Sequence, residues 1–163
     1  MSRAFVREHD SGTPDALPAL PVSPHPNYVT ARGLEQLRAR RARAEARRRA
    51  ASDPAERAHV ERELDWLAAR IASAMVLTPG GGRLDEVGFG MTVEFVDADG
   101  ARHRYRIVGE DEADPERGCI SHVSPLARAL RGARIGETRV WPRPVGDMEV
   151  EIVGIAAIDE PCC

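Results

Sequence analysis

The chain has 163 residues, enough for one ordinary domain or two very small ones. It is 30% charged and only 4% aromatic, with a formal net charge of −3, the profile of a soluble chain with a modest core. No apolar run reaches the roughly 20 residues of a membrane-spanning helix, and the N-terminus lacks a signal-type hydrophobic stretch, so a cytoplasmic protein with no membrane partner is expected.

The net charge hides an asymmetry: residues 30–76 carry 11 basic and 7 acidic side chains, whereas residues 77–163 carry 10 and 16. A basic half joined to an acidic half implies two surfaces with different partners. All 23 basic residues are arginine. Cys119, Cys162 and Cys163 form neither an even disulfide set nor a metal-ligand spacing, and reduced thiols are expected. His9, His25, His59, His103 and His122 likewise show no ligand spacing, and no Ser/His/Asp or Cys/His set is visible. The chain is therefore expected to have no catalytic residue of its own and to bind no metal alone.

Residues 1–26 contain Pro14, Pro18, Pro21, Pro24 and Pro26 and read as an extended tail, because each proline fixes its φ and restricts the preceding residue. Residues 27–78 read as a helical hairpin. Thr30 is an N-cap for a helix from Ala31 to about Ala51, in which Leu34, Leu37, Arg41, Ala44 and Arg48 follow heptad spacing. Asp53-Pro54-Ala55-Glu56 starts a second helix: Asp53 caps, Pro54 suits the first helical position, and Glu56 sits where a capping box closes. Its seam is Val60, Leu64, Leu67, Ile71 and Ala74. So short a link requires antiparallel helices.

Residues 79–84, which include Pro79-Gly80-Gly81-Gly82, form a linker. In the next segment, 85–158, the period changes to two. Met91, Val93 and Phe95 alternate with polar residues, Asp97-Ala98-Asp99-Gly100 turns, and His103, Tyr105 and Ile107 alternate back. Further strands are expected at Cys119–Val123, Arg139–Trp141 and Met148–Ile155, with a short helix opened by Ser124-Pro125. The expected class is α+β, an antiparallel helical hairpin followed by a small antiparallel sheet with one short helix. Residues 159–163 are a tail.

In one order the chain carries Tyr105-Arg106-Ile107-Val108-Gly109, Ile120-Ser121, Ser124-Pro125-Leu126-Ala127-Arg128-Ala129-Leu130, Gly132 and Ile135-Gly136-Glu137, ending in Val150-Glu151-Ile152-Val153-Gly154-Ile155. This series resembles the C-terminal domain of the Gre transcription elongation factors (the GreA/GreB family), more the GreB-like branch. Upstream, Asn27-Tyr28-Val29-Thr30-Ala31-Arg32-Gly33-Leu34 resembles the family's tyrosine–threonine–glycine helix start. The resemblance covers roughly residues 27–158.

The resemblance implies an FKBP-like domain that docks on the rim of the RNA polymerase secondary channel, with Ser124, Pro125 and Leu126 at the contact; read from the residues alone, Ser124 and Pro125 equally start a helix, and Leu126 and Leu130 equally serve as core. It implies a monomer whose hairpin enters that channel. In the family, acidic tip residues help hold a catalytic Mg2+ jointly with the polymerase, where cleavage of backtracked RNA occurs. The corresponding carboxylates here are Asp53 and Glu56, but Ser52 and Arg57 replace the family's flanking glycine and asparagine, and both acids are equally explained as a cap and its partner. Arg41, Arg48 and Arg49 are candidates for contact with the RNA 3′ end or the channel walls, or are a solvated face. The second helix, counted from Pro54 to Val76, spans roughly 35 Å, whereas the family's cleavage-competent arms are longer by several turns.

Two functions are set against a Gre-type cleavage factor. One is a short-hairpin channel competitor or inhibitor that does not stimulate cleavage, similar to the regulator of nucleoside diphosphate kinase. The other is a prolyl isomerase, disfavoured by the scarcity of aromatics for a pocket. The acidic run Glu110–Glu116 reads as a solvated turn rather than a metal site.

Overall fold

The computed structural model describes residues 18–157. The first seventeen and last six residues, with most of the N-terminal tail, Cys162 and Cys163, lie outside the described residues.

Helix α1 spans Ala31–Ala50 and starts as the sequence requires. Thr30 stays extended (φ −76°, ψ 163°), and its hydroxyl accepts from Gly33 N at 3.0 Å. Helix α2 spans Pro54–Ser73 with Asp53 as N-cap. Three residues separate the helices, so they fold back on each other. Leu37, Ala44, Val60 and Leu67 are buried between them, with Leu34, Leu64 and Ile71 partly covered. Glu63 stitches one flank, accepting from Arg40 Nε at 2.8 Å and Arg47 Nη2 at 2.5 Å. Burial alone would raise its carboxyl, but hydrogen bonds from Arg47 and Arg40 prevail and hold it below the ordinary glutamate value.

Helix α2 ends three residues before Val76. Strand β1 (Tyr28–Val29) pairs parallel with β2 (Met75–Val76), and the carbonyls of Asn27 and Val29 accept from Met75 N and Leu77 N at 2.9 and 3.0 Å. These partners replace what a further helical turn would supply. The arms are thus 20 residues each, or about 30 Å. Of the proline-rich tail, residues 18–26 lie along α2: Trp66 Nε1 donates to Pro21 O at 3.1 Å.

The second half is a five-stranded sheet in the order β5-β4-β3-β7-β6: β3 Thr92–Asp97, β4 Arg102–Val108, β5 Cys119–Ser121, β6 Thr138–Trp141 and β7 Met148–Ala156. At the β3–β4 turn, Asp97 Oδ1 accepts from Asp99 N and Ala101 N, while Gly100 takes φ 81°. Val93, Phe95, Ile107, Val150 and Ile152 point into one core, closed by Leu126, Ala127 and Leu130 of helix α3 (Pro125–Leu130).

The sheet corrects one expectation. It is mixed, because β5 runs parallel to β4 with Arg106 opposite Cys119. A parallel neighbour needs a crossover rather than a tight turn. Residues 109–118 supply it through two short 3-10 turns, Glu110–Glu112 and Pro115–Arg117. Cys119 itself is buried in β5, opposite Arg106.

Candidate functional site

Two surfaces hold the residues singled out from the sequence. The first surrounds the start of α3. Ser124 is extended (φ −63°, ψ 151°), and its hydroxyl accepts from Ala127 N at 3.2 Å, so its side chain is committed to capping. Pro125 occupies the first helical position, where a missing N–H costs nothing, and is exposed. Leu126 turns inward and is 5% exposed within the sheet core. Of the three, Pro125 offers the free surface.

That surface continues into an open apolar groove of about 410 Å³ lined by Tyr105, Pro125, Trp141, Pro142, Pro144 and Val145. Val145 is 85% exposed, and the Arg143 guanidinium lies 5.5 Å from the Trp141 ring centroid. None of residues 141–145 is among the site residues expected from the sequence, where Trp141 figures only as the end of a strand. The signal available was Trp141-Pro142-Arg143-Pro144-Val145 itself, an aromatic and two prolines leaving an edge strand, where prolines cannot serve a ladder. Only the fold carries this run across to Pro125.

The second surface is the hairpin tip. Asp53 Oδ2 accepts from Glu56 N at 3.2 Å, and both side chains are exposed. The first half of the capping box is therefore formed, and one of the two tip carboxylates is occupied with it. Arg57 Nη2 donates to Ala51 O at 2.9 Å, and Arg47, Arg48 and Arg49 fill the last turn of α1, where cations suit the helix C-terminus. Four arginines stand against two carboxylates, so the tip is net positive. Arg41 lies nearly two turns back and pairs with Glu45 at 3.1 Å, while Arg48 and Arg49 remain exposed.

A hard divalent cation needs several oxygen ligands and negative surroundings. Asp53 and Glu56, one of them capping and both set among arginines, do not fit a Mg2+ site by themselves. Among the described residues no group of three or more His, Cys, Asp or Glu side chains is placed to hold a metal, and no helix is long and apolar enough to cross a membrane.

Where hairpin and sheet meet, His122 is 4% exposed and packs between Tyr28 and Phe89, with ring centroids at 5.3 and 5.8 Å. Its burial pushes the imidazole below its ordinary value. Arg131 and His25 add to this, and Glu110 opposes it.

Comparison with known proteins places these features. Residues 82–157 match the family described as "Transcription elongation factor, GreA/GreB, C-term". The chain is 41% identical over 101 residues to transcription elongation factor GreA of Bacillus cereus (strain AH187), covering 61% of this chain and 64% of that protein. It is 44% identical over 103 residues to GreA of Anaeromyxobacter sp. (strain K), covering 63% and 62%. The chain thus spans less than two thirds of the length of these curated relatives. Among solved structures, a transcription factor Gfh1 is 26% identical with a TM-score of 0.40, covering 80% of this chain and 97% of that one. A GreA/GreB factor from Nitrosomonas europaea is 23% identical with a TM-score of 0.41, covering 81% and 98%.

Proposed function

We propose that the chain, whose residues 82–157 match the GreA/GreB C-terminal family model, is an RNA polymerase-binding factor that regulates transcription elongation. The domain docks at the rim of the secondary channel, and the hairpin projects into it. The chain acts as a monomer in the cytoplasm, with no catalysis of its own. The observation that carries this reading is the apolar groove around Pro125, Trp141 and Val145, on the domain that matches the family. It joins an aromatic anchor to a largely exposed apolar rim, the composition of a protein-binding patch.

The tip favours a particular form of this function. With Asp53 engaged as a cap, arms of 20 residues and a net positive end, the hairpin occupies the channel and competes or inhibits there rather than delivering a Mg2+ ligand. Arg41, Arg48 and Arg49 then face the RNA 3′ end or the channel walls, where cations lower the cost of approach to phosphates.

Co-purification with core RNA polymerase tests docking. Pro125→Ala combined with Val145→Asp changes two exposed residues and leaves the fold intact; loss of binding is expected, and undiminished binding refutes the groove as the docking surface. Leu126→Asp is avoided because a buried residue reports on folding. A backtracked elongation complex tests the tip: no stimulated cleavage is expected. Stimulation that disappears in Asp53→Ala/Glu56→Ala would establish a cleavage factor instead.

A further inference from the structure

The acidic run between β4 and β5, expected to be a solvated turn, faces the hairpin. Its three consecutive carboxylates each reach a different part of the N-terminal half. Glu110 Oε1 accepts from Ser23 Oγ at 2.9 Å. Asp111 Oδ2 accepts from Arg70 Nε at 2.7 Å, with the Arg70 side chain 2% and the Asp111 side chain 14% exposed. Glu112 grips Thr30 twice, accepting from its backbone N at 2.9 Å and from its hydroxyl.

The Glu112 contact completes the start of α1. That helix has no acidic residue in its own first turn. The carboxylate of Glu112, from the other half of the chain, supplies the negative charge that a helix N-terminus favours. Thr30 Oγ1 donates to it while accepting from Gly33 N, so cap and carboxylate form one relay. The backbone is shaped to admit it: a Cβ on Gly33 would stand 2.1 Å from Glu112 Cδ, and one on Gly109 would stand 2.5 Å from Tyr28 O. On the α2 side, Asn27 Nδ2 donates to Arg70 O at 2.7 Å and Ser73 Oγ at 3.1 Å, tying β1 to the helix end that holds Asp111.

We propose that Glu112 and Asp111 are positioning residues that set the direction of the hairpin relative to the sheet domain. Each helix is gripped separately, α1 at its first residues by Glu112 and α2 at its last turn by Asp111, so two contacts fix tilt where one would leave a hinge. The arm is a lever: over about 30 Å, a tilt of roughly 10° at the base moves the tip by about 5 Å. In the absence of such ties, two small domains move relative to each other. On the function proposed above, the same residues aim the tip within the polymerase channel.

Residual dipolar couplings of the 15N-labelled full chain read the orientation without any partner. In the unaltered protein, couplings from α1 and α2 and from β3, β4 and β7 are expected to fit one alignment tensor. In Glu112→Ala/Asp111→Ala they are expected to require two, the hairpin's alignment falling about twofold as it moves independently. Glu112→Gln keeps the acceptor for Thr30 N and is expected to restore most of the common alignment, which a merely destabilising role would not predict. If the double variant fails to fold, Gly33→Ala, which displaces the Glu112 carboxylate, is measured instead with the same expectation. A single unchanged tensor in the folded variant overturns the proposal. A parallel polymerase co-purification separates the two readings: binding retained with an altered transcriptional effect is expected of the double variant. If the unaltered chain does not bind polymerase, the function proposed above fails, while the couplings still decide the latch.

Discussion

At its base the hairpin buries Leu67, Leu37 and Val29 and ties Arg70, nearly inaccessible, to Asp111 of the sheet domain. Toward its tip the buried side chains shrink to Ala44, Ala51 and Val60, and the surface is carried by arginines stitched to Glu63 and Glu45. The two ends of one pair of helices are therefore held by different physics, desolvated packing and paired charge at one end and solvated charge with caps at the other. Buried apolar area and desolvated ion pairs are costly to break, whereas exposed pairs and caps contribute about 1 kcal/mol or less each. A projecting arm needs this arrangement, since its base must stay rigid and its far end must remain in solvent.

Substitutions along the hairpin test that gradient. Leu67→Ala, at the fully buried base, is expected to cost about 4 kcal/mol in denaturant unfolding, whereas Ala44→Gly nearer the tip costs only about 1. Equal losses at both positions would abolish the contrast. Arg70→Met strands Asp111 in a buried setting and is expected to cost about 3 kcal/mol, recovered in large part when Asp111→Leu is added. A melting series on the two single variants and the double variant measures that coupling. At the tip, Asp53→Ala removes an exposed cap and is expected to cost about 1 kcal/mol.

Acid is expected to weaken the two ends in separate ranges. His122 is held neutral by burial, so its contribution is complete above its ordinary value of 6.5 and is lost as pH falls from there through its lowered folded value. Glu63 is held ionised, so its contribution is complete above 4.5 and is lost only as pH falls from there through its own lowered value. Unfolding free energy followed against pH should decline in two steps. His122→Phe removes the upper step, and Glu63→Gln, at a cost of about 0.5 kcal/mol near neutrality, reduces the lower one, to which Asp97 and Glu86 also contribute because hydrogen bonds from His103 and Arg134 hold them below their ordinary values.

Much of this architecture is legible in local sequence. Thr30, Asp53 and Ser124 cap the helices they precede, because a short polar side chain before a helical run has one dominant use. The switch from heptad to alternating apolar spacing near residue 90 marks where helices give way to strands, and Asp97–Gly100 turns as its residue types require. Within the candidate site, Pro125 was legible as a helix start at the surface. Leu126 was open to two uses, since an apolar residue in a first turn faces core or partner according to what lies beneath it, and the fold turned it inward.

What the chain determines by itself is therefore each element's type and the place where it begins, because caps, periodicity and turn residues act within a few positions of one another. Tertiary structure alone decided which distant groups meet. Glu110, Asp111 and Glu112 look like solvated acids until the parallel crossover carries them against Thr30 and Arg70. Arg70 looks like one more surface arginine until the sheet domain closes over it. Trp141 to Val145 becomes a groove wall only when β6 lies beside α3. The physical reason is common to all three: a charge's or an apolar side chain's role is set by its desolvation and its partner, and both are supplied by segments far away in the chain.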